Sequence, residues 1–404
     1  MRELPEGWAW KTLSDVLSTL ENGNRPKGGI KDIEEGIPSI GGEHISPFGG
    51  FKFDKVKLIP EDFYDSMKRG KLNLWDVLVV KDGATTGKVS IVKNDFPFSK
   101  AAVNEHVFLL RGIPDVLDQH YLFFHMFSPS GQSQVLKTFH GAAIGGINTQ
   151  FIKNYHIPLP PLPTQRRIVA ILEKAEQVKN WHSEQSRLLD DYLKSVFLEM
   201  FGDPMQNEMN WKIETVGNLS ESRLGKMLDK KQIIGNNLKF YLGNSNVKWF
   251  DFDLNDLLEM DFSQEEQDKF ELKNGDVLIC EGGDIGRSAI WQSQLSDCYY
   301  QKALHRLRAD EQKLNPYYFV HLMFFYSKFG GFKDYATQST IAHLTGFKLK
   351  KMPIPVPPID LQSKFAAIVQ HTEKVKAQHE KSAKQADDLF NALMQKAFTG
   401  ELVA

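Results

Sequence analysis

The chain has 404 residues, which is too long for one compact core and predicts two to four domains at roughly 100 to 200 residues each. Its 41% hydrophobic and 25% charged residues are typical of globular proteins and exclude the disordered and fibrous classes. The formal net charge of −2 is less basic than is usual for nucleic-acid binders, so a DNA-binding surface would have to gather its basic residues on one face.

The start of the sequence, MRELPEGWAW, lacks the basic and apolar segments of a secretion signal, and no apolar run approaches the roughly 18 residues of a membrane span. These features predict a cytoplasmic protein without membrane contact. Cys280 and Cys298 are too few for a disulfide framework and lack the CxxC spacing of a zinc site. We expect both to be reduced core residues.

The two halves of the sequence match each other in the same order from end to end, which predicts an internal duplication. GWAWKTLSDV corresponds to NWKIETVGNL, and PSIGGEHI corresponds to FYLGNSNV. WDVLVVKDGATTGKVSIV matches GDVLICEGGDIGRSAIW with one residue deleted inside the glycine turn, and we pair His106 with His305. IPLPPLPTQRRIVAIL then matches IPVPPIDLQSKFAAIV, with Gln165 opposite Gln362.

Each half has the same organisation: about 155 residues of mixed strands and helices, a proline-rich hinge and a long helix. VLVVK and VLICE are typical of buried strands that lead into glycine turns, and YLFFHMF and YYFVHLMFF of short buried helices. We therefore predict an α+β fold with two similar mixed α/β regions. The predicted segments are 1–160, 161–202 (first long helix), 203–357 and 358–404 (second long helix).

The two long segments have apolar residues at steps of three and four, which predicts amphipathic helices of about 38 residues and roughly 57 Å. A helix of this length with one apolar stripe needs a partner, and the simplest is the other helix, in an antiparallel coiled coil about a pseudo-twofold axis. The stripes are Ile168, Ile171, Leu172, Ala175, Val178, Leu189, Tyr192 and Val196, and Phe365, Ile368, Val369, Thr372, Val375, Ala386, Leu389 and Leu393.

Fragments that approach catalytic motifs are all incomplete. GATTGKVS has three residues between its glycines and Val89 after Lys88, whereas a phosphate loop needs four and a Ser or Thr. Asn315-Pro316-Tyr317-Tyr318 resembles an amino-methyltransferase loop but lacks its second proline, so a helix start is the better interpretation. We predict a binding protein with two heads and no enzyme activity of its own.

Where the halves diverge, they do so in polar loops, while the scaffold residues match. Such loops suit two sites that read different DNA sequences, because Arg, Lys, Asn and Gln make the usual base contacts; drift in surface loops is the alternative. The candidate DNA-binding residues are Asn24, Arg25, Lys27, Glu43, His44, Thr85, Thr86 and Lys88, and Lys226, Lys230, Lys231, Asn244, Ser245, Asn246 and Arg287.

The duplicated hinge and helix, the DVLVVKDGATTGK turn and the closing ALMQKAFTGEL resemble the specificity subunits of type I DNA restriction-modification systems over nearly the whole chain. The resemblance implies two target recognition domains, each reading one half of a split site in double-stranded DNA, with the coiled coil setting the gap. It also implies assembly with two methyltransferase subunits, which bind S-adenosylmethionine, and with restriction subunits that use ATP and Mg²⁺ to translocate. This chain itself is expected to bind no cofactor.

Two other classes stay open at this point. A fused methyltransferase is disfavoured by the missing donor and target-base motifs. A duplicated protein-interaction scaffold without a nucleic-acid role is permitted by the low net charge.

Overall fold

The computed structural model describes residues 3–27, 29, 33–137, 145–227, 237–333 and 343–403. Within these ranges no helix has both the length and the apolarity to cross a membrane. The chain divides into two compact units, unit 1 with residues 1–183 and 381–404 and unit 2 with residues 184–380. Each unit thus contains one globular region together with parts of both long helices.

The elements of the first half begin with a short β-strand and end with a long helix. The strands are β1 (Ala9–Thr12), β2 (Leu17–Asn22), β3 (Ile37–Ile40), β4 (Lys57–Ile59), β5 (Val77–Val80), β6 (Val89–Ile91), β7 (Ala102–Val103), β8 (Val107–Gly112) and β9 (His156–Leu159). The helices are α1 (Leu13–Val16), α2 (Glu61–Ser66), α3 (Gln119–Phe127), α4 (Pro129–Leu136), α5 (Phe151–Asn154) and α6 (Leu162–Phe201).

The second half repeats this series. Its strands are β10 (Lys212–Thr215), β11 (Ser220–Leu224), β12 (Leu238–Leu242), β13 (Leu258–Asp261), β14 (Val277–Cys280), β15 (Ser288–Ile290), β16 (Tyr299–Tyr300), β17 (Leu304–Ala309) and β18 (Pro353–Val356). Its helices are α7 (Val216–Leu219), α8 (Gln264–Phe270), α9 (Pro316–Phe329), α10 (Gly346–Lys351) and α11 (Ile359–Ala397).

The sheets have the same strand order in both units, which confirms the predicted duplication. Unit 1 contains sheets β2-β8-β5-β6, β4-β3-β7 and β1-β9, and unit 2 contains sheets β11-β17-β14-β15, β13-β12-β16 and β10-β18. Neighbours in the four-stranded sheets are antiparallel, whereas β3–β7 and β12–β16 are parallel pairs. The predicted mixed α/β organisation is therefore confirmed.

The central strands β5 and β14 are buried on both faces. Because successive side chains of a strand point to opposite sides, Val77 and Val79 face the core with the helices, while Leu78 and Val80 face a second core. In β14 the second core receives Leu278 and Cys280. This explains why VLVVK and VLICE are continuous apolar runs rather than alternating ones.

Helices α6 and α11 span 40 and 39 residues and pack against each other within each unit. In unit 2, Phe197 contacts Phe365 with a ring separation of 5.5 Å, and Asp190 pairs with Lys376, so the helices run antiparallel. In unit 1, Lys179 Nζ lies 3.1 Å from Asp387 Oδ1. A step of 11 residues along α6 thus corresponds to 11 residues backwards along α11.

The predicted stripe is right near the start of each helix and at Ala386, but Val178 is exposed and the stripe is one residue off at Tyr192 and Leu389. Ile168 and Leu172 are fully buried, but Tyr192 is 49% exposed and the buried side chains are Leu193, Phe197 and Phe201. Likewise, Leu389 is exposed and the buried residues beside it are Phe390 and Met394. The reason is that these C-terminal halves also pack against aromatic side chains of a globular region, as Phe197 does with Tyr318.

A buried glutamine joins the start of each long helix to the globular region. The Gln165 amide accepts from Asp118 N at 2.9 Å and donates to Val116 O and Pro160 O, both at 2.9 Å. Gln362 makes the corresponding three bonds in unit 2, at 2.8 to 3.1 Å. Both side chains are fully buried. These hydrogen bonds therefore fix the direction of each long helix relative to the globular region at which it begins.

The strand register corrects one sequence match. Val79 lies opposite Phe108 in unit 1, and its counterpart Ile279 lies opposite His305 in unit 2. His305 therefore corresponds to Phe108, and the predicted pairing of His106 with His305 is wrong by two positions.

Candidate nucleic-acid interface

In unit 1, backbone hydrogen bonds join the loops at one end of the four-stranded sheet. Gly23 N, after β2, donates to Asn104 O at 3.1 Å, and Asn104 N donates to Ile40 O, at the end of β3, at 2.9 Å. Lys81 N, after β5, donates to His106 O at 2.9 Å. The loop cluster of unit 1, as we call this region, comprises residues 23–27, 40–46, 81–88 and 104–106.

Unit 2 keeps two of these bonds at the corresponding positions: Glu281 N donates to Ala303 O and Gln301 N donates to Leu242 O, both at 3.0 Å. The third differs, because Gly225 N donates at 3.0 Å to the carbonyl of the first β17 residue, three positions beyond the counterpart of Asn104. The loop cluster of unit 2 comprises residues 225–227, 242–248, 281–287 and 301–303. The structure thus brings the described candidate residues together in two equivalent clusters, although they are far apart in sequence.

The basic residue of each glycine turn reaches back to the neighbouring loop. Lys88 Nζ donates to Ile45 O at 3.3 Å, and Arg287 Nη2 donates to Asn244 O at 2.8 Å. The two turns differ by the predicted one-residue deletion, since Val80 N donates to Lys88 O where Cys280 N donates to Arg287 O. These basic side chains therefore hold two candidate loops against each other.

His44 and Asn246 occupy the same structural position and have the same role in their loops. The buried His44 ring accepts at Nδ1 from the backbone N–H three residues earlier, at 2.9 Å, and Nε2 donates to Lys55 O at 3.0 Å. Asn246 Oδ1 accepts the equivalent bond at 2.9 Å, and Nδ2 donates to Asp253 O at 3.0 Å. Both side chains shape the loop from inside, so they would act on DNA through the loop that they hold.

Two further candidates are engaged in ion pairs. Glu43 Oε1 lies 2.6 Å from Lys57 Nζ. Burial raises the pKa of Glu43, but the bond from Lys57 and nearby charge outweigh it, so the net pKa lies below the ordinary value. Lys226 Nζ, only 15% exposed, lies 2.6 Å from Glu266 Oε2 and donates to Asp261 O. Lys226 is thereby anchored to α8 rather than presented to solvent.

The remaining described candidates lie on the surface of the loop clusters. Asn24 Oδ1 accepts from Arg69 Nη2 at 3.0 Å, and Lys27 is exposed. Thr86 Oγ1 donates to the carbonyl of Gly83 at 2.7 Å, within its own turn. Thr85 is half-buried, and Ser245 is exposed. Lys230 and Lys231 lie outside the described residues.

The structure adds acidic residues that sequence reasoning missed. Glu105 Oε1 lies 2.9 Å from Arg25 Nε and 3.3 Å from His106 Nε2, and His106 Nδ1 bonds to Asp82. These residues come from three loops, and no local spacing links them. The one available signal was divergence, because Lys302 stands in unit 2 where unit 1 has Glu105.

The clusters contain hydrogen-bonding groups rather than reactive ones. Burial raises the pKa of Cys280, whose thiol lies beneath the loop of Asn244, to about 11, so the thiol is protonated near neutral pH. Among the described residues no three His, Cys, Asp or Glu side chains gather as a metal-binding group. This arrangement is suited to recognising a surface rich in donors and acceptors.

Comparisons with known proteins agree with this geometry. The model of the type I restriction modification DNA specificity domain matches residues 5–186 and again residues 208–386. A Methanocaldococcus jannaschii protein assigned as the MjaX type I restriction enzyme specificity subunit is 25% identical over 225 residues, covering 54% of this chain and 51% of that protein. A Haemophilus influenzae protein assigned as a type I restriction enzyme specificity subunit is 24% identical over 377 residues, covering 90% of this chain and 87% of that protein.

A solved structure shows the same fold. It is described as the structural basis of complex assembly and conformational transition of the type I R-M system, and its chain matches with a TM-score of 0.63 and 18% identity over the whole of both chains. The chain belongs to the family of type I restriction modification DNA specificity domains and contains two copies of the domain. The expected membership in this DNA-recognising, non-catalytic family is thus confirmed.

Proposed function

We propose that this chain is the specificity subunit of a type I restriction-modification complex and reads a split site in double-stranded DNA. Each loop cluster binds one half-site, and the α6–α11 pair sets the gap between the halves. The target recognition domains are residues 1–160 and 203–357, and the long helices are the spacers. The candidate loop residues supply the contacts, some directly and some, such as His44 and Asn246, by shaping a loop.

The observation that carries the proposal is a constant framework with different exposed side chains. Lys81 N–His106 O and Glu281 N–Ala303 O are equivalent bonds of 2.9 and 3.0 Å. At the exposed positions around them, however, Arg25 is replaced by Met227. Base edges in the major groove differ in their pattern of donors and acceptors. Two clusters with one backbone and two sets of side chains are therefore suited to two different half-sites.

The proposed partners follow from the same assignment. We propose two methyltransferase subunits, which bind S-adenosylmethionine, and restriction subunits, which use ATP and Mg²⁺, with this chain binding none of these cofactors. The complex would work in the cytoplasm, where its DNA lies. No group in the loop clusters is equipped for methyl transfer, so chemistry would belong to the partner subunits.

The experiment is selection of bound duplexes from a random library, using the chain assembled with its methyltransferase subunits. We expect enrichment of two short sequences separated by a fixed gap. A library that shows no enrichment over many rounds, while the complex is assembled and soluble, would contradict the proposal and favour a protein-interaction scaffold.

A control separates recognition by this chain from recognition by its partners. Residues 1–155 are replaced with the same region of a relative, and the selection is repeated. One half-site should change, while the other half and the gap stay. A motif that is unchanged would assign recognition to the methyltransferase subunits instead.

A further inference from the structure

Arg25 is held by a chain of ionisable side chains that exists in unit 1 and is absent from the equivalent residues of unit 2. Arg25 Nε lies 2.9 Å from Glu105 Oε1, which lies 3.3 Å from His106 Nε2. His106 Nδ1 bonds to Asp82 Oδ1, and the other oxygen of Asp82 lies 3.1 Å from Lys81 Nζ. The chain of contacts therefore runs across three loops of the loop cluster and ends at Arg25.

The equivalent positions in unit 2 have lost every member of this chain. The strand registers place Met227, Lys302, Ala303, Gly282 and Glu281 at the positions of Arg25, Glu105, His106, Asp82 and Lys81. Two backbone bonds between these loops are nevertheless kept, since Glu281 N–Ala303 O and Gln301 N–Leu242 O are the counterparts of Lys81 N–His106 O and Asn104 N–Ile40 O. The framework does not need this chain of ionisable side chains, so its presence in unit 1 requires another reason.

The Arg25 side chain stays half exposed while Glu105 holds it. The side chain is 47% exposed, and its ion pair with Glu105 is made through Nε rather than through either Nη group. A guanidinium carries five N–H donors in a rigid fork, so fixing Nε with a carboxylate also fixes the direction of the two Nη groups. A donor pair oriented before binding loses less conformational entropy when the ligand arrives.

We propose that Arg25 reads a guanine in the half-site of unit 1, donating from Nη1 and Nη2 to the O6 and N7 atoms of that base. This pair of acceptors on one edge is the match for an arginine fork in the major groove. Glu105 is the positioning residue, and His106 and Asp82 hold Glu105 in turn. The inference rests on the proposed function and adds the base and the atom pair to it.

A phosphate contact is the competing role for an exposed arginine. Phosphate contacts act on every sequence and depend on charge, whereas a base contact acts on one position and depends on the shape of the fork. Arg25→Lys distinguishes the two roles because it keeps the charge and removes the fork. The ion pair with Glu105 favours the base contact, since a carboxylate beside a phosphate-binding arginine would repel the phosphate.

The test uses the assembled complex and a random duplex library, with Arg25→Lys, Arg25→Ala, Glu105→Gln and the matched control Met227→Ala at the equivalent position of unit 2. The parent should select a G·C pair at one position that becomes relaxed in Arg25→Lys, with discrimination reduced about 5- to 150-fold. Glu105→Gln should relax the same position less. Met227→Ala should leave that position unchanged.

Several results would overturn the inference. Retained discrimination in Arg25→Lys, or an even loss of affinity in Arg25→Ala with a salt slope smaller by about one, would assign Arg25 to the DNA backbone. If Met227→Ala lowered discrimination at that position as much as Arg25→Lys does, the effect would not come from unit 1. A parent that selects no motif would refute the proposed function itself, which is a different outcome. Circular dichroism and complex assembly check that each variant is folded.

Discussion

The α6–α11 pair should act as a ruler for the gap, and heptad insertions test this directly. The insertion points must lie opposite each other, so that the register is kept on both sides. Lys179–Asp387 and Asp190–Lys376 define that register. Insertions after Ser183 in α6 and after Ser382 in α11 meet this condition. The point in α6 is as far from Lys179 as the point in α11 is from Asp387, and the same holds for Asp190 and Lys376. A heptad keeps the apolar seam in phase.

The expected magnitude follows from helix and DNA geometry. Seven residues add about 10 Å of helix, which corresponds to about three base pairs at about 3.4 Å each. Three base pairs also turn the groove by about 100°, since the duplex repeats every 10 to 10.5 base pairs or so. Three heptads add about 31 Å, close to nine base pairs and almost a full turn. The preferred gap should grow in both mutants, but affinity should fall more with one heptad than with three.

The assay is selection from duplex libraries in which the two half-sites are fixed and the gap varies, followed by measurement of Kd on the preferred duplex. Both mutants are assembled with the methyltransferase subunits before selection. Insertion of one heptad in α6 alone is the control, because it shifts one side of the seam past the other and should impair folding or assembly.

Two results would refute the reasoning. A folded and assembled mutant that still prefers the original gap would mean that the coil does not set the spacing. Equal affinity of the one-heptad and three-heptad mutants would mean that rotation around the duplex does not matter, and the heads would then be linked more loosely than a rigid pair of helices allows.

Three further predictions concern single residues. Lys88→Ala and Arg287→Ala should each weaken DNA binding, because each removes the bond that holds two loops together; titration of the assembled complex measures this, and parental affinity in both would make these turns dispensable. Gln165→Glu places a carboxylate against two carbonyl oxygens and should destabilise unit 1 by about 2–5 kcal/mol, with Gln362→Glu as its counterpart in unit 2; hydrogen exchange locates the loosened unit, and unchanged exchange would contradict the prediction. Burial lowers the pKa of His125 to about 3, so stability present above the ordinary pKa of about 6.5 should be lost as the pH falls, by roughly 3 kcal/mol at pH 4; urea denaturation of His125→Leu should show a weaker pH dependence, and an unchanged dependence would exclude this histidine as its source.

The sequence was sufficient for the features that repeat. The order of matched segments predicted the duplication, and the continuous apolar runs predicted β5 and β14, which are confirmed. The prolines of both hinges predicted where the long helices begin, because proline is excluded from the interior of a helix and so separates the hinge from the helix that follows. The roles of Gln165 and Gln362 could not be predicted, although the two were aligned, because their partners lie in loops nearly fifty residues away.

The errors have a common physical origin. The paired histidines were matched by residue type, whereas the register of β8 and β17 is set by which side chains face the core. In the helices, Tyr192 and Leu193 are both apolar enough to continue a stripe, although a step of one residue rotates the face by about 100°. Only the aromatic side chains packed against Phe197 decide which face is buried. Periodicity defines a stripe but not its partner.

The duplication also explains how a chain with a net charge of −2 can bind DNA. Lys226 and Glu43 show that a charged residue in a candidate loop is often neutralised by a nearby partner, so the clusters are not simply basic. What differs between units is the arrangement of paired charges, as with Glu105 in unit 1 and Lys302 in unit 2. Paired charges orient donors without adding net attraction, which favours reading of base edges over non-specific binding to the backbone. Affinity would then depend on both half-sites being bound together at the gap that the helices set.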